Sequence, residues 1–309
     1  MKLVTHNGHF HYDEVLATAV LLEIYPDAEL TRTRDASMIE TGDIVFDVGA
    51  EFDPAKNRFD HHQKSFDHTF SANYNIKLSS AGLIFKFFHE RLFEKYGVLK
   101  TSPIFEDIKT KVYEEMFLPA DAIDNGVDIT GKIKPRTIAD VVSSFNSYNE
   151  DETSVSEDAR FKDALSFVQT DLKNYLNHVM HGFVVNYEAL YNTLKDFDGE
   201  IFVAEKKFPM DLIFDVSKKL NKDIKYVIFK GNQQFRIYAI PIEKGSFQMK
   251  YPLHANWRGL RNEELVKASG ISGCTFVHAS GFTGGNEAFD GAIEMCIESI
   301  KKLNEDSKN

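Results

Sequence analysis

The stretch Asp43-Ile44-Val45-Phe46-Asp47-Val48 places a run of large apolar residues between two aspartates. Successive apolar residues are typical of a strand that is buried on both faces, as in a parallel sheet. Strand patterns also cover residues 2–6, 29–34 and 57–60, and a helix pattern covers residues 13–25. Because strands alternate with helices, we expect a mostly parallel sheet with right-handed crossovers and flanking helices. The N-terminal half is therefore predicted to be an α/β domain.

Polar residues follow the strands of this predicted sheet at His6, Asp47 and Asp60. In such sheets, ligands bind at the carboxyl ends of the strands, which meet at one edge. A carboxylate that follows a buried strand, as Asp47 does, is costly unless it is paired or bound to a metal. Asp47 could instead cap the next turn through Gly49. These positions predict one shared site at the edge of the sheet.

Histidine and aspartate are concentrated around these strand ends. Six of the eleven histidines lie in the first 68 residues, five of them in the stretches 5–14 (THNGHFHYDE) and 59–63 (FDHHQ). Imidazole and carboxylate groups both donate lone pairs to a divalent cation, so the two stretches predict a metal site. Simpler alternatives are open: Asp13 can favour the dipole of the helix that it begins, and Asp60 can orient a histidine ring.

Two later segments of the N-terminal half carry further candidates. Asp121 and Asp124 follow a helical pattern over residues 102–117, and a loop cap would account for only one of them. Leu78-Ser79-Ser80-Ala81-Gly82 opens a helix that is predicted to reach about residue 96, with a serine as its N-cap. Within that stretch, Ser80 is a candidate contact for substrate, or simply part of the helix start.

Composition limits the classes of function. The 309 residues are 43% hydrophobic, so they can bury a large core, and the length favours two domains. No apolar run approaches the roughly 18 residues of a membrane helix. No signal or transit peptide is apparent and the two cysteines lack metal-type spacing, so a cytoplasmic location is expected. The net charge of −11 argues against a surface for duplex nucleic acid, but not against a phosphorylated substrate, because bound cations reverse the local field.

The predicted organisation has three parts: a domain over residues 1–156 that carries the predicted metal site, a connecting helix over residues 157–196 and a smaller α/β domain over residues 197–309. A polar, acidic surface loop is expected at 146–157, and the long helical pattern is interrupted near His181-Gly182. The last part restarts the alternation of strands and helices and ends in a helix from about residue 287.

The C-terminal domain is expected to hold part of the substrate. Arg258 and Arg261 can each grip a phosphate or carboxylate through two donors. The neighbouring Trp257, the only tryptophan, could stack on a base or lie buried in the core. His278 ends a strand and precedes the predicted loop Ala279-Ser280-Gly281-Phe282-Thr283-Gly284-Gly285. A glycine-rich loop before a helix can offer backbone N–H groups to an anion, so Gly281, Gly284 and Gly285 are candidate contacts.

Seven stretches, spread from residue 5 to residue 285, support a more specific interpretation. They are THNGHFHYDEVLA, DIVFDVG, RFDHHQKSF, LSSAGLIFK, ADAIDNGVD, NWRGLR and FVHASGFTGG. Together they resemble the DHH phosphoesterase superfamily, and within it the melanocyte-proliferating-gene exonuclease family of metal-dependent hydrolases. The resemblance covers nearly the whole chain. It implies a DHH-like catalytic domain with a dinuclear, usually manganese, centre and a C-terminal domain that binds substrate.

The resemblance also implies roles for individual residues. It gives one ion to His6, His11 and Asp47, and the other to Asp13, Asp47, His61 and Asp124, so that Asp47 bridges the two. It places His62 against the substrate phosphate, makes Asp47 and His62 the catalytic pair, and has Asp60 and Asp121 hold the ligands in place. A typical member of the superfamily has aspartate where this chain has His11, with one residue of extra spacing here. This departure predicts a less negatively charged first metal site.

Two such ions suit in-line attack on a phosphorus ester by a bridging water. Oxygen and nitrogen ligands without thiolate favour Mn²⁺, with Mg²⁺ as the other candidate. The predicted function is a 3′-to-5′ exonuclease on single-stranded RNA or short oligonucleotides. Alternatives are a pyrophosphatase, a phosphodiesterase for small or cyclic nucleotides, and a non-catalytic protein that binds nucleotides through its metals. No membrane partner is expected, and a homodimer is compatible with the sequence.

Overall fold

The structure is a computed structural model. It describes residues 1–129, 131–147, 155–246 and 248–306. The acidic loop predicted at 146–157 lies largely outside the described residues. The chain divides into two compact units, Met1–Val184 and Val185–Asn309, and each contains a five-stranded sheet. None of the described helices is long and apolar enough to cross a membrane.

The sheet of the first unit has short strands. They are β1 (Lys2–Thr5), β2 (Glu29–Arg32), β3 (Ile44–Phe46), β4 (Phe52–Asp53) and β5 (Arg58–Phe59). Their order is β2-β1-β3-β5-β4, and every neighbouring pair is parallel except β4 with β5. The apolar run at 44–46 is the central strand, and it is buried along its whole length. The predicted mostly parallel sheet is confirmed.

Helices surround this sheet. They are α1 (Tyr12–Ile24), α2 (Ala36–Glu40), α3 (Ser80–Lys95), α4 (Phe105–Val112), α5 (Leu118–Asp124), α6 (Ile138–Ser143) and α7 (Glu157–His178). The first ten residues of α1 are all buried, and the helix packs against α3 and α7. Burial on all sides follows from its sequence, because residues 15–21 are apolar except for Thr18. Its first turn, with Asp13 and Glu14, is therefore held firmly inside the unit.

The chain stays helical beyond residue 117, where the sequence predicts a helix end. A π-helical turn, Tyr113–Phe117, joins α4 to α5. Pro119 lies in the first turn of α5. Asp121 therefore lies inside α5 and Asp124 is its last residue. A loop cap does not account for Asp121.

The long helical pattern of the sequence is present, with an irregular turn inside it. After α7 comes the π-helical turn Val179–Val184 and then α8 (Val185–Leu194). The turn contains residues 181–182, where the sequence pattern is interrupted. The division between the two units falls at the end of this turn. The predicted domain limits at 156 and 196 themselves stay a prediction.

The second unit has a mixed sheet. Its strands are β6 (Ile201–Ala204), β7 (Tyr226–Lys230), β8 (Phe235–Ala239), β9 (Cys274–Val277) and β10 (Thr283–Asn286), and its further helices are α9 (Met210–Lys219), α10 (Asn262–Ser269) and α11 (Phe289–Asp306). The strand order is β6-β7-β8-β10-β9, and among these neighbours only β6 and β7 are parallel. Trp257 lies in the core of this unit and is 3% exposed, which favours the buried alternative for this residue. A C-terminal α/β unit is confirmed.

The glycine-rich segment is not wholly the loop that the sequence predicts. Residues 283–286 form β10, which lies between β8 and β9 and is buried throughout. A Cβ on Gly284 would lie 2.8 Å from Leu253 Cδ1, and one on Gly285 would collide with the Gln234 side chain. The loop prediction is wrong for these residues, because glycine serves here to let neighbouring groups approach a strand closely.

Candidate metal centre

The carboxyl ends of β1, β3 and β5 bring the histidine and aspartate motifs together. The groups with ligand atoms within 4.8 Å of one another are His6 with His11 and Glu14, Asp47 with His61 and His62, Asp13 with His61 and Asp124, and Asp13 with Glu14 and Asp47. All six residues that the sequence predicts as ligands belong to these overlapping groups. The parallel strands explain this for the five residues that come after β1, β3 and β5, since such residues emerge at one edge of the sheet, whereas Asp124 reaches the site from the end of α5.

Asp47 lies between two halves of this cluster: the first half is His6, His11 and Glu14, and the second half is Asp13, His61 and Asp124. It follows β3 directly, in the left-handed backbone region with φ of 57°. Its Oδ2 lies 3.2 Å from Nε2 of His6, and its Oδ1 lies 3.1 Å from Nε2 of His61. Burial alone raises the pKa of the Asp47 carboxyl, but hydrogen bonds from the two histidines outweigh burial and lower the pKa to about 2. The two oxygens of one ionised carboxylate thus face two different histidines.

Glu14 belongs to the first half, and sequence reasoning missed it. The side chain is fully buried, and its Oε1 lies 3.0 Å from Nε2 of His6. The same oxygen accepts a hydrogen bond of 2.8 Å from the backbone N–H of His11, which precedes α1. Burial raises the pKa of Glu14 to about 8. A glutamate at the third helical position is typical of a capping box, so the sequence offers a sufficient local explanation and no signal of a second role.

His61 connects the second half. Its Nε2 lies 3.7 Å from Oδ2 of Asp13, and its Nδ1 lies 3.6 Å from Oδ2 of Asp124. Ser80 is buried, and its hydroxyl donates a hydrogen bond of 2.6 Å to the same Oδ2 of Asp13. The structure therefore places Ser80 behind a predicted ligand. Burial raises the pKa of Asp13, and it raises the pKa of Asp124 to about 7.

The residues present fit a divalent-metal centre. Asp13, Glu14 and Asp47 are all buried, with ligand atoms within 4.8 Å of one another. Within the parts of the chain that the structure describes, Oδ1 of Asp13 and Oε2 of Glu14 are buried and have no hydrogen-bond partner. Unpaired carboxylate oxygens that face like charges are costly in the protein interior unless a proton or a cation compensates them. Imidazole nitrogens and carboxylate oxygens both donate lone pairs to a divalent cation.

His62 lies beside the cluster but faces outward. Its side chain is 61% exposed, and its Nδ1 lies 2.7 Å from Oδ1 of the buried Asp60. The hydrogen bond that Nδ1 of His62 donates to the Asp60 carboxylate raises the pKa of the His62 imidazole. Asp60 is itself held by the backbone N–H of Ala50 at 2.6 Å. The ring of His62 is thus fixed through Nδ1, and Nε2 is left for another partner.

Asp121 has a different environment from the predicted ligands. Its Oδ1 accepts hydrogen bonds from the N–H and hydroxyl groups of Ser79, at 2.9 and 2.7 Å. Its Oδ2 accepts a bond of 2.9 Å from the hydroxyl of Tyr113. A Cβ at Gly82 would collide with this carboxylate. Both oxygens are occupied by protein donors, so Asp121 anchors the start of α3 to α5.

Of the predicted substrate residues in the second unit, the structure brings Arg258, His278 and Gly281 together. Nε of Arg258 donates to the carbonyl of Leu253 at 2.9 Å, and the N–H of Leu253 donates to the carbonyl of Gly281 at 2.9 Å. The N–H of Gly281 donates to the carbonyl of His278 at 2.8 Å. Arg261 instead lies over the ring of Phe276, 5.8 Å from its centroid.

A sequence model of the MYG1 exonuclease family, described as "Uncharacterised protein family (UPF0160)", matches residues 2–300. The chain belongs to the MYG1 exonuclease family. The MYG1 protein of Schizosaccharomyces pombe is 36% identical, with 97% of each chain covered. The human MYG1 exonuclease is 37% identical, with 97% of this chain and 85% of the human one covered. Membership confirms the resemblance seen in the sequence, and with it the prediction of a hydrolytic enzyme of the exonuclease or phosphoesterase kind.

Among solved structures, this MYG1-family chain is similar to RecJ from Thermus thermophilus in complex with Mn²⁺. The alignment covers 97% of this chain and 52% of the RecJ chain. The sequence identity is 12% and the TM-score is 0.26. These values are too low to support a structural argument, so the centre is described from its own geometry alone.

Proposed function

We propose that this MYG1-family protein is a divalent-metal-dependent phosphodiester hydrolase that shortens single-stranded RNA or short oligonucleotides from the 3′ end. The observation that carries the proposal is the position of Asp47. One buried carboxylate directs its two oxygens at His6 and His61, each of which has further carboxylates around it. This is the arrangement that a ligand shared by two ions requires. The family to which the chain belongs supplies the exonuclease class.

Two divalent cations, Mn²⁺ in preference to Mg²⁺, are proposed to occupy this centre. The residues that would hold one are His6, His11, Glu14 and Asp47, and those that would hold the other are Asp13, Asp47, His61 and Asp124. Bound cations would supply a water of lowered pKa and stabilise the charge that develops on a phosphorus ester. Hydrogen bonds from the protein keep two of these ligands in place: the hydroxyl of Ser80 donates to Asp13, and the backbone N–H of His11 donates to Glu14.

Other residues are proposed to contact the substrate. Asp60 holds His62 through Nδ1, so Nε2 of His62 can donate to a phosphate oxygen. In the second unit, Arg258, Arg261, His278 and Gly281 stay candidate contacts for substrate. For Gly284 and Gly285, their place in a buried strand supports a packing role. The cytoplasmic location and the homodimer stay predictions from the sequence.

The test is a time course with 5′-labelled single-stranded RNA, with Mn²⁺ and with chelator. The variants are Asp47→Asn and, as a matched control, Asp27→Asn, which removes the same charge from an exposed residue before β2. Circular dichroism verifies that both variants fold. We expect a metal-dependent ladder that shortens from the 3′ end in the wild type and in Asp27→Asn, and that is absent in Asp47→Asn.

Other outcomes would contradict the proposal in distinct ways. Full activity of a folded Asp47→Asn protein would show that the site is wrong. Intact RNA together with hydrolysis of pyrophosphate or of cyclic nucleotides would keep the centre and change the substrate. Tight nucleotide binding without turnover at every metal concentration would favour a binding protein over an enzyme.

A further inference from the structure

Arg34 is a cationic residue at the metal centre to which neither the motifs nor the proposed mechanism gives a role. It follows β2, the strand that neighbours β1, so it emerges at the same edge of the sheet as His6. It lines a cavity of about 1040 Å³ together with His6, Asp47 and His62. Among the described residues that line this cavity, Arg34 is the one arginine or lysine. The cavity therefore combines a cluster of metal-ligating groups with a single permanent cation.

The guanidinium of Arg34 is largely uncommitted. Its Nη2 lies 3.1 Å from Nδ1 of His6, and within the described parts of the chain it forms no ion pair. Arg32, two residues earlier, is different: it pairs with Asp158 at 2.8 Å, donates to the carbonyl of Gly8 and lies 4.3 Å over the ring of Phe161. A guanidinium carries five N–H donors, so most of those on Arg34 are available to another partner.

The contact between Arg34 and His6 lies on one side of the imidazole ring, and the carboxylates lie on the other. Nδ1 of His6, which Nη2 of Arg34 approaches, also lies 3.1 Å from the carbonyl oxygen of Asn7. Nε2, the other ring nitrogen, lies 3.0 Å from Glu14 and 3.2 Å from Asp47. The guanidinium therefore borders the ligand cluster through His6 and keeps its other donors for the cavity that it lines.

We propose that Arg34 is a phosphate-binding residue, whose guanidinium binds non-bridging oxygens of the substrate phosphate in this cavity. This inference rests on the proposed function, since it gives the scissile phosphate a cationic contact within the first unit. Two parallel N–H donors match two phosphate oxygens, which an ammonium group does not reproduce. Arg34 shares the lining of the cavity with Asp47, Asp60 and Asp124, so it supplies the positive charge that an anionic substrate needs there.

The test compares Arg34→Ala and Arg34→Lys with Arg91→Ala. Arg91 is a matched control because it lies with Met1 and Asp43, at the amino ends of β1 and β3 and so at the opposite end of the sheet. Calorimetric titration with Mn²⁺ comes first, and we expect the same Mn²⁺ affinity in all four proteins. The Mn²⁺-loaded proteins are then titrated with inorganic phosphate, which cannot be turned over. Loss of a charge-assisted contact predicts that Arg34→Ala binds phosphate about tenfold to a hundredfold more weakly, that Arg34→Lys is intermediate and that Arg91→Ala is unchanged.

Each result decides between roles. Equal phosphate affinity in wild type and Arg34→Ala would overturn the proposal, as would a wild type that binds no phosphate. Weaker Mn²⁺ binding by Arg34→Ala would also overturn it, because Arg34 would then be a positioning residue for His6. With RNA as substrate, the proposal predicts that Arg34→Ala raises KM more than it lowers kcat. If phosphate binding depends on Arg34 but the wild type cleaves no RNA, the phosphate site stands and the proposed exonuclease function fails.

Discussion

The two units each contain five strands, but they use their motif residues in different ways. In the first unit, polar residues that follow β1, β3 and β5 are brought together, and the buried oxygens Oδ1 of Asp13 and Oε2 of Glu14 have no hydrogen-bond partner among the described residues. In the second unit, the end of the glycine-rich motif is a buried strand between two others, and the only tryptophan lies in the core. A conspicuous sequence pattern therefore belongs to the candidate metal centre in the first unit and to the packing of the sheet and core in the second unit.

Strand direction accounts for this difference. β1, β2, β3 and β5 are parallel, so the residues that follow them collect at one edge. In the second sheet β8 and β9 are both antiparallel to β10, so successive segments emerge at opposite edges. A motif in a parallel sheet thus predicts proximity to other motifs, whereas a motif in an antiparallel sheet needs separate support.

The largest expected effect distinguishes two adjacent histidines of the first unit. His61→Ala should lower Mn²⁺ affinity at least about a hundredfold, because even groups that only orient a ligand contribute 10- to 100-fold. His62→Ala should slow RNA cleavage about a hundredfold, as loss of a positioned proton donor does, and leave Mn²⁺ affinity unchanged. Calorimetry with Mn²⁺ and single-turnover cleavage measure the two quantities. Equal loss of Mn²⁺ affinity in both variants would make His62 a ligand as well.

Glu14 provides the next test of the same cluster. Glu14→Gln should weaken Mn²⁺ binding about tenfold to a hundredfold. The amide oxygen can still accept the N–H of His11, so the helix start and the melting temperature should be preserved. Glu40→Gln, at the exposed end of α2, is the matched control. If Glu14→Gln binds Mn²⁺ as the wild type does, the residue serves only the capping of α1.

A glycine of the second unit tests the packing side of the comparison. Gly284→Ala should reduce the free energy of unfolding by about 1–3 kcal/mol, because the new Cβ would crowd Leu253 and the backbone oxygen of Phe276. Phosphate affinity of the folded protein should not change. Urea denaturation gives the stability, and titration with inorganic phosphate gives the affinity. Weaker phosphate binding at unchanged stability would return Gly284 to the set of anion contacts.

The smallest effect is the pH dependence of stability in chelator. The pKa of Glu14 is raised to about 8 and that of His61 to about 9. Between pH 6.5 and 9, the folded protein thus holds protons that the unfolded chain has released, so stability should fall as pH rises, on the order of 1 kcal/mol per pH unit. Saturating Mn²⁺ replaces these protons and should flatten or reverse the dependence. The midpoints of urea denaturation at pH 6.5 and at pH 9, in chelator and in Mn²⁺, measure this dependence. A midpoint that rises with pH in chelator would contradict the prediction.

Much of the first unit could be predicted from the sequence because its inner strands β1 and β3 are largely buried. Such strands leave a continuous apolar run in the sequence with a polar residue directly after it, as at 44–47. The run predicts the strand, and the polar residue marks where the strand ends. The neighbourhood of His6, Asp47 and Asp60 follows from that pattern alone. The assignment of individual ligands came from the resemblance to a family and is a proposal.

The features that could not be predicted depend on tertiary contacts. Glu14 has a complete local explanation as a capping residue, and Arg34 belongs to no motif, since its position depends on β2 pairing with β1. The strand β10 resembles a loop in the sequence because it contains Gly284 and Gly285. Glycine is required there because the side chains of Leu253 and Gln234, which are distant in sequence, leave no room for a Cβ. Asp121 resembles a loop cap until α5 is seen to continue through it.

The contact between Gly82 and Asp121 has a consequence for how this chain can be varied. Position 82 has room for hydrogen only because the carboxylate of Asp121 occupies the space where a side chain would begin. Substitutions at the two positions are therefore coupled: a larger residue at position 82 requires a shorter residue at position 121. A combinatorial library that randomises α3 without α5 would discard nearly every member at position 82, whereas one that randomises both together could find new solutions.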